Sequence, residues 1–168
     1  GLGDPLSKAE TVEGERVQDG LPETMEDHLR QHGIRYLKVK VGNRGREDVE
    51  RLLAINRVIQ LTGMDHVNIT LDGNEQYSSM DEFSEFWKEI RSISELNKLT
   101  QHVIAVEQPL NRLVALKDFA TQGLKEFSRQ VPVIIDESDA SKDDCWRALC
   151  LGYSGTSSKA VSYTHLTL

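Results

Sequence analysis

A chain of 168 residues, 38% apolar and 28% charged, has the size and composition of one globular domain able to bury a real core. A net charge of −7 with no block of Lys or Arg argues against nucleic acid or an anionic membrane as the main partner. No apolar run approaches the roughly 20 residues of a membrane span. The two cysteines, Cys145 and Cys150, have neither zinc-knuckle nor disulfide-framework spacing, so a reducing, cytoplasmic setting is expected.

After a polar opening that contains several glycines, helical and strand-like runs alternate. "LPETMEDHLRQHG" has early acids and Gly33 as its stop, which predicts a helix. "IRYLKVKV" alternates as a strand, with Lys38 and Lys40 on one face and Leu37, Val39 and Val41 on the other. Between about Glu47 and Leu61, Val49, Leu52, Leu53, Ile55, Val58 and Ile59 give one apolar helical face. "VNITLD" is the next strand, followed by a single long helix over "SMDEFSEFWKEIRSISELNKL". "HVIAVEQP" is a third strand, and a helix from about Leu113 to Ser128 leads to a fourth, "VPVIIDESD". A short helix over "KDDCWRALCLG" and a fifth strand in "YSGTSSKA" complete the pattern. Trp87 and Trp146 are expected on helix faces packed against the sheet.

Strands separated by helices predict parallel βαβ units. Their recurrence every 25 to 35 residues or so suits a (β/α)₈ barrel or an open doubly wound sheet. No glycine-rich phosphate loop follows any strand, which disfavours a nucleotide-binding open sheet.

Each apolar run ends in a chemically capable side chain: Lys38 and Lys40, Asp72, Glu107, Asp136, and Lys159. In a parallel barrel all strands open on one face, so these six would meet in one bowl. Three converging carboxylates repel one another unless a cation sits among them, and a hard divalent ion such as magnesium suits three oxygen donors. Lysines beside that ion and each other would have lowered pKa values, making one of Lys38 and Lys40 a base and the other a charge stabiliser. Lys159 would approach a substrate from the opposite side. Singly, Asp72 and Asp136 read equally as helix-capping acids, and Lys38 and Lys40 as edge-strand gatekeepers. Asn74 is either a turn residue or a holder of a ligand, and Glu137 and Ser138 are read as supporting loop residues. His28, His32, His66 and His102 are scattered and are assigned no chemistry.

"KVK", "LDGN", "VEQP", "IIDES" and "GTSSK", in this order over roughly Ile34 to Ala160, resemble the barrel domain of the enolase superfamily, in its mandelate racemase and muconate lactonizing enzyme branch. The resemblance implies an α/β fold, a partial TIM-like barrel covering about strands two to six of a (β/α)₇β enolase-type barrel. It implies Asp72, Glu107 and Asp136 as ligands of Mg²⁺ on strands three to five. Lys40 is then the base on strand two, Lys38 neutralises a substrate carboxylate or enolate, and Lys159 is the opposing acid/base on strand six. The implied activity is abstraction of the proton alpha to a carboxylate, ending in racemisation or epimerisation, acid-sugar dehydration or cycloisomerisation. The paired lysines look like the muconate lactonizing and dipeptide epimerase arrangement rather than the mandelate racemase one. "GYSGTSSKA" departs from the usual sixth-strand pattern, with Gly155 and two serines where branched apolar residues are common.

Residues 1–160 are accordingly expected to be a barrel fragment lacking the family's N-terminal capping domain. Residues 161–168, "VSYTHLTL", resemble a translated transposon end and are read as non-native, His165 included. An unclosed barrel leaves strand edges open, so the isolated chain is expected to be unstable and inactive. The full-length protein is expected to be a homo-oligomer acting on a small carboxylate. The alternative reading is a metal-binding barrel with a structural or regulatory role and no catalysis.

Overall fold

The computed structural model describes residues 5–11, 19–64 and 66–157. Five strands form one sheet, β1 (Tyr36–Lys40), β2 (Asn68–Asp72), β3 (Val103–Glu107), β4 (Val133–Ile135) and β5 (Gly155–Thr156). All neighbouring pairs are parallel, and the spatial order follows the sequence from β1 to β5. An order that never reverses has no topological switch point, so this is a segment of a (β/α) barrel rather than a doubly wound sheet. Among the described residues six α-helices accompany the strands: α1 (Met25–His32), α2 (Arg46–Leu61), α3 (Met80–Ser92), α4 (Asn97–Gln101), α5 (Leu124–Ser128) and α6 (Lys142–Leu151).

Local signals account for the helix ends. Thr24 Oγ1 accepts the Asp27 N–H at the start of α1, and Gly33 closes that helix with φ +59°. At α3 the Ser79 hydroxyl accepts the Glu82 N–H, while the Glu82 carboxylate reaches back to Ser78. The buried Asp48 caps the loop before α2, accepting from the backbone of Gly42 and Arg44.

Two expected helices are shorter than their sequence pattern. The long helix ends at Ser92 because Ile93 takes extended dihedrals, and a 3₁₀ turn (Ser94–Leu96) and α4 follow. That break turns Leu96 and Leu99 into the core, which one straight helix would not do. The helix expected from Leu113 is confined to α5. Upstream, Asn111 O accepts from both Val114 and Ala115, and Lys117 O from both Ala120 and Thr121. These successive turns bury Ala115 and Ala120 and leave Leu113 78% exposed.

The core lies between one face of the sheet and the helices. Val39, Ile69, Leu71, Val106, Val133 and Ile135 meet the apolar stripes of α2 and α3 there. Tyr77, Phe83, Phe86, Trp87 and Phe127 stack beside them, with Tyr77 and Phe83 edge to face at 5.0 Å. Trp87 is buried as expected, but Trp146 is 71% exposed on the outer side of α6. No helix among the described residues is long and apolar enough to cross a membrane.

Candidate active site

Strand alternation separates the helix-facing residues from a charged set. Lys40 pairs in register with Asp72, Asp72 with Glu107, and Glu107 with Ile134, two residues before Asp136. The strand ends thus bring Lys40, Asp72, Glu107 and Asp136 to one edge of the sheet, with Lys38 one step back on the same face of β1 as Lys40.

The loops that follow are held by contacts of atomic specificity. Gly73 N–H bonds to Glu107 O, Glu75 N–H to Gln108 O and Tyr77 N–H to Pro109 O, so the segment after β2 is zipped to the segment after β3. A Cβ on Gly73 would fall 2.5 Å from Pro109 Cα, which only glycine avoids. Asn74 and Glu75 follow with φ +43° and +69°. Gln108, fully buried, uses its whole carboxamide. Its Nε2 donates to Leu110 O and Ser138 Oγ, and its Oε1 accepts from the backbone N–H groups of Asp136 and Ser138. One side chain just past β3 thereby fixes the end of β4.

Inside this frame Lys38 and Lys40 have different partners. Lys38 Nζ lies 2.8 Å from Glu107 Oε2 and 3.1 Å from Asp72 Oδ2, bridging two carboxylates that are each about 5% exposed or less. Burial is the largest single influence on Lys38 and lowers its pKa. The hydrogen bonds to Glu107 and Asp72 and the charges of both acids outweigh it, and the net pKa is raised. Lys40 Nζ instead donates to Asn74 Oδ1 at 2.9 Å. Asn74 Nδ2 donates in turn to Glu137 Oε1 at 3.3 Å, and Asn74 N–H to Asp72 Oδ1 at 2.9 Å. At the rim, Arg112 grips Glu75 through its backbone N–H and guanidinium, and that hydrogen bonding holds the Glu75 carboxyl below its usual pKa.

Asp136 is buried directly after β4, its backbone held by Gln108. Lys159 and residues 161–168 lie outside the described residues. Among the described residues no group of three or more His, Cys, Asp or Glu side chains is arranged to hold a metal ion. The donor chemistry nevertheless fits a hard divalent cation: carboxylate oxygens on neighbouring strands, two of them already closed around one positive charge, with the Lys38 ammonium as its stand-in.

Sequence reasoning passed over Gln108 and Asp48. The signal for Gln108 was its position beside a strand-end acid and immediately before Pro109. For Asp48 it was an acid in the first turn of α2 after a glycine-bearing loop.

The enolase C-terminal domain-like family matches residues 20–155. Among solved structures, N-succinyl Arg/Lys racemase from Bacillus cereus ATCC 14579 is similar with TM-score 0.53 and 21% identity, over 75% of this chain and 30% of that one. Muconate lactonizing enzyme from Mucobacterium Smegmatis gives TM-score 0.49 and 24% identity over 76% of this chain and 32% of that one. Dipeptide epimerase from Enterococcus faecalis V583 gives 0.47 and 23% over 71% and 30%. The chain therefore spans about a third of the length of these structures. No curated protein matches.

Proposed function

This chain belongs to the enolase C-terminal domain-like family, and from that premise we propose that it carries half of a site for removing the proton alpha to a carboxylate. In this reading Asp72, Glu107 and Asp136 hold Mg²⁺, Lys40 is the base, Lys38 screens the substrate's negative charge, and Lys159 faces Lys40 across the substrate. When bound, magnesium would supply the positive charge that makes the alpha proton of a carboxylate acidic enough to remove. The substrate class is a small carboxylate, and the product could be an epimer, a dehydrated acid sugar or a cycloisomer.

The observation that carries the proposal is the division between the two lysines. The Lys38 ammonium lies against Asp72 and Glu107, the carboxylates assigned to the cation, and is thereby placed to hold charge beside that ion. Lys38 is therefore the charge-holding member. Lys40 rests on a neutral amide oxygen rather than between carboxylates, and it is assigned the proton-transferring role.

Solvent exchange tests this. With Mg²⁺ and a panel of hydroxy acids, acid sugars and dipeptides in D₂O, NMR on the full-length protein should show exchange of an alpha proton that Lys40→Ala slows by about 10²-fold or more, the usual weight of a general base. Exchange unchanged in Lys40→Ala would overturn the assignment. Magnesium retained with no exchange on any member of the panel would identify the non-catalytic barrel instead.

A further inference from the structure

Beyond the acids and lysines, one hydrogen-bonded chain crosses the strand ends without any role in the chemistry above: Lys40 Nζ to Asn74 Oδ1, then Asn74 Nδ2 to Glu137 Oε1. We propose that Glu137 is a positioning residue which, by fixing the orientation of the Asn74 carboxamide, locates the Lys40 amine. This rests on the reading of Lys40 as the base.

The argument is one of donors and acceptors. An amide has a donating and an accepting end, and only its surroundings decide which way it points. An ionised carboxylate accepts only, and an ammonium donates only. Set between Lys40 and Glu137, the Asn74 amide satisfies both in a single orientation, oxygen to the amine and nitrogen to the acid. The reverse would place donor against donor and acceptor against acceptor. The amide is also held from behind, since Asn74 N–H bonds to Asp72 and the adjacent residues 73 and 75 are tied to β3 and the loop after it.

Glu137 has an unexplained cost that this role would justify. Its Oε2 is buried without a hydrogen-bond partner among the described residues, although Glu137 as a whole is half-buried. Burying a carboxylate oxygen without a donor is unfavourable, and the hydrogen bond of the other oxygen offsets part of that cost. Orienting Asn74 is the function that oxygen performs here.

Brief acetic anhydride labelling of the chain, quantified by peptide mass spectrometry, reads the position of Lys40 without relying on turnover. The exposed Lys117 and Lys125 serve as internal standards. Asn74→Gly tolerates the positive φ and removes the acceptor; Glu137→Ala removes the group that orients it. Each should raise labelling of Lys40 by about fivefold relative to the standards, the weight of one partly screened hydrogen bond to a charged group. Lys38, held by other partners, should label at its original rate, and Glu137→Gln, which can still offer an oxygen to Asn74, should restore protection of Lys40. Unchanged Lys40 labelling in either disrupting variant overturns the proposal. So does a rise of Lys38 in step with Lys40, which would mean general loosening. Absence of alpha-proton exchange alongside the expected labelling would sink the chemistry proposed for Lys40 and leave its positioning intact. Exchange with unchanged labelling would do the reverse.

Discussion

The two faces of the sheet are stabilised in different ways. On the helix side, Val39, Leu71, Val106, Val133 and Ile135 are interchangeable in kind: each contributes apolar area, and the interface needs volume and shape more than any one atom. At the strand ends nearly every contact is singular. Gln108 has four hydrogen bonds and no spare atom, Gly73 has no room for a methyl group, and the one Lys38 ammonium pairs with both Asp72 and Glu107. Substitutions of similar size should therefore be tolerated on the first face and fail on the second. The site proposed at the strand ends needs such fixed positions, whereas the helix side needs only to exclude water.

Gln108→Leu gives the largest expected effect and the most direct way to break this contrast. Leucine has a similar reach and would be welcome against α2 or α3. At 108 it would leave the N–H groups of Asp136 and Ser138, the Leu110 carbonyl and the Ser138 hydroxyl without their partner. Each stranded group costs about 1–3 kcal/mol less whatever relaxation recovers, so a loss of about 4 kcal/mol is expected in urea denaturation. A loss below about 1 kcal/mol would show that the strand ends are as forgiving as the core.

Lys38→Met follows. It keeps most of the stem and deletes the ammonium between Asp72 and Glu107, leaving two neighbouring carboxylates to repel. A fully buried pair broken in this way costs about 3–5 kcal/mol, but the Lys38 side chain is 49% exposed and water screens it, so about 1–2 kcal/mol is expected. The pH dependence has a definite sign. Because the folded-state pKa of Lys38 is raised, its contribution is complete below the ordinary value of 10.5 and is lost as pH rises through the raised value. The stability difference between the wild-type chain and Lys38→Met should shrink in that alkaline window.

The contrast also explains what the sequence could and could not reveal. Apolar alternation in "VNITLD" and the stripe of α2 depend on many residues at once, so strands, parallel pairing and the enolase-like fold were legible. The acids and lysines at 38, 40, 72, 107 and 136 were legible as positions, because strand period alone brings them to one edge. Pairing was not. Nothing in "KVK" says that Lys38 takes the carboxylates while Lys40 takes an amide, since that depends on where Asn74 and Glu137 come to rest after separate strands. The helices ending early at Ser92 and beginning late at Leu124 failed for a related reason: helical periodicity continues through both segments, and tertiary packing of Leu96, Leu99 and Ala115 overrides it.

The smallest expected effect sharpens the comparison, because it sets two buried tyrosines against each other. Tyr153 donates its hydroxyl to Ala115 O at 2.9 Å, whereas the Tyr77 hydroxyl, packed among Phe83 and Phe86, lies beside the Asn43 backbone without completing a well-formed hydrogen bond among the described residues. Burial is the main cause of a raised pKa in both. Tyr153→Phe strands a carbonyl and should cost about 1 kcal/mol. Tyr77→Phe removes a hydroxyl that is buried without return, and should be neutral or slightly stabilising in the same denaturation assay. Both tyrosines favour the folded state fully below the ordinary tyrosine pKa of about 10, and that contribution fades as pH rises toward their raised values. An ultraviolet difference titration should find neither ionising before the chain unfolds. If Tyr77→Phe costs as much as Tyr153→Phe, the Tyr77 hydroxyl has a partner in solution, and the aromatic side of the sheet is as specific in its polar contacts as the strand ends.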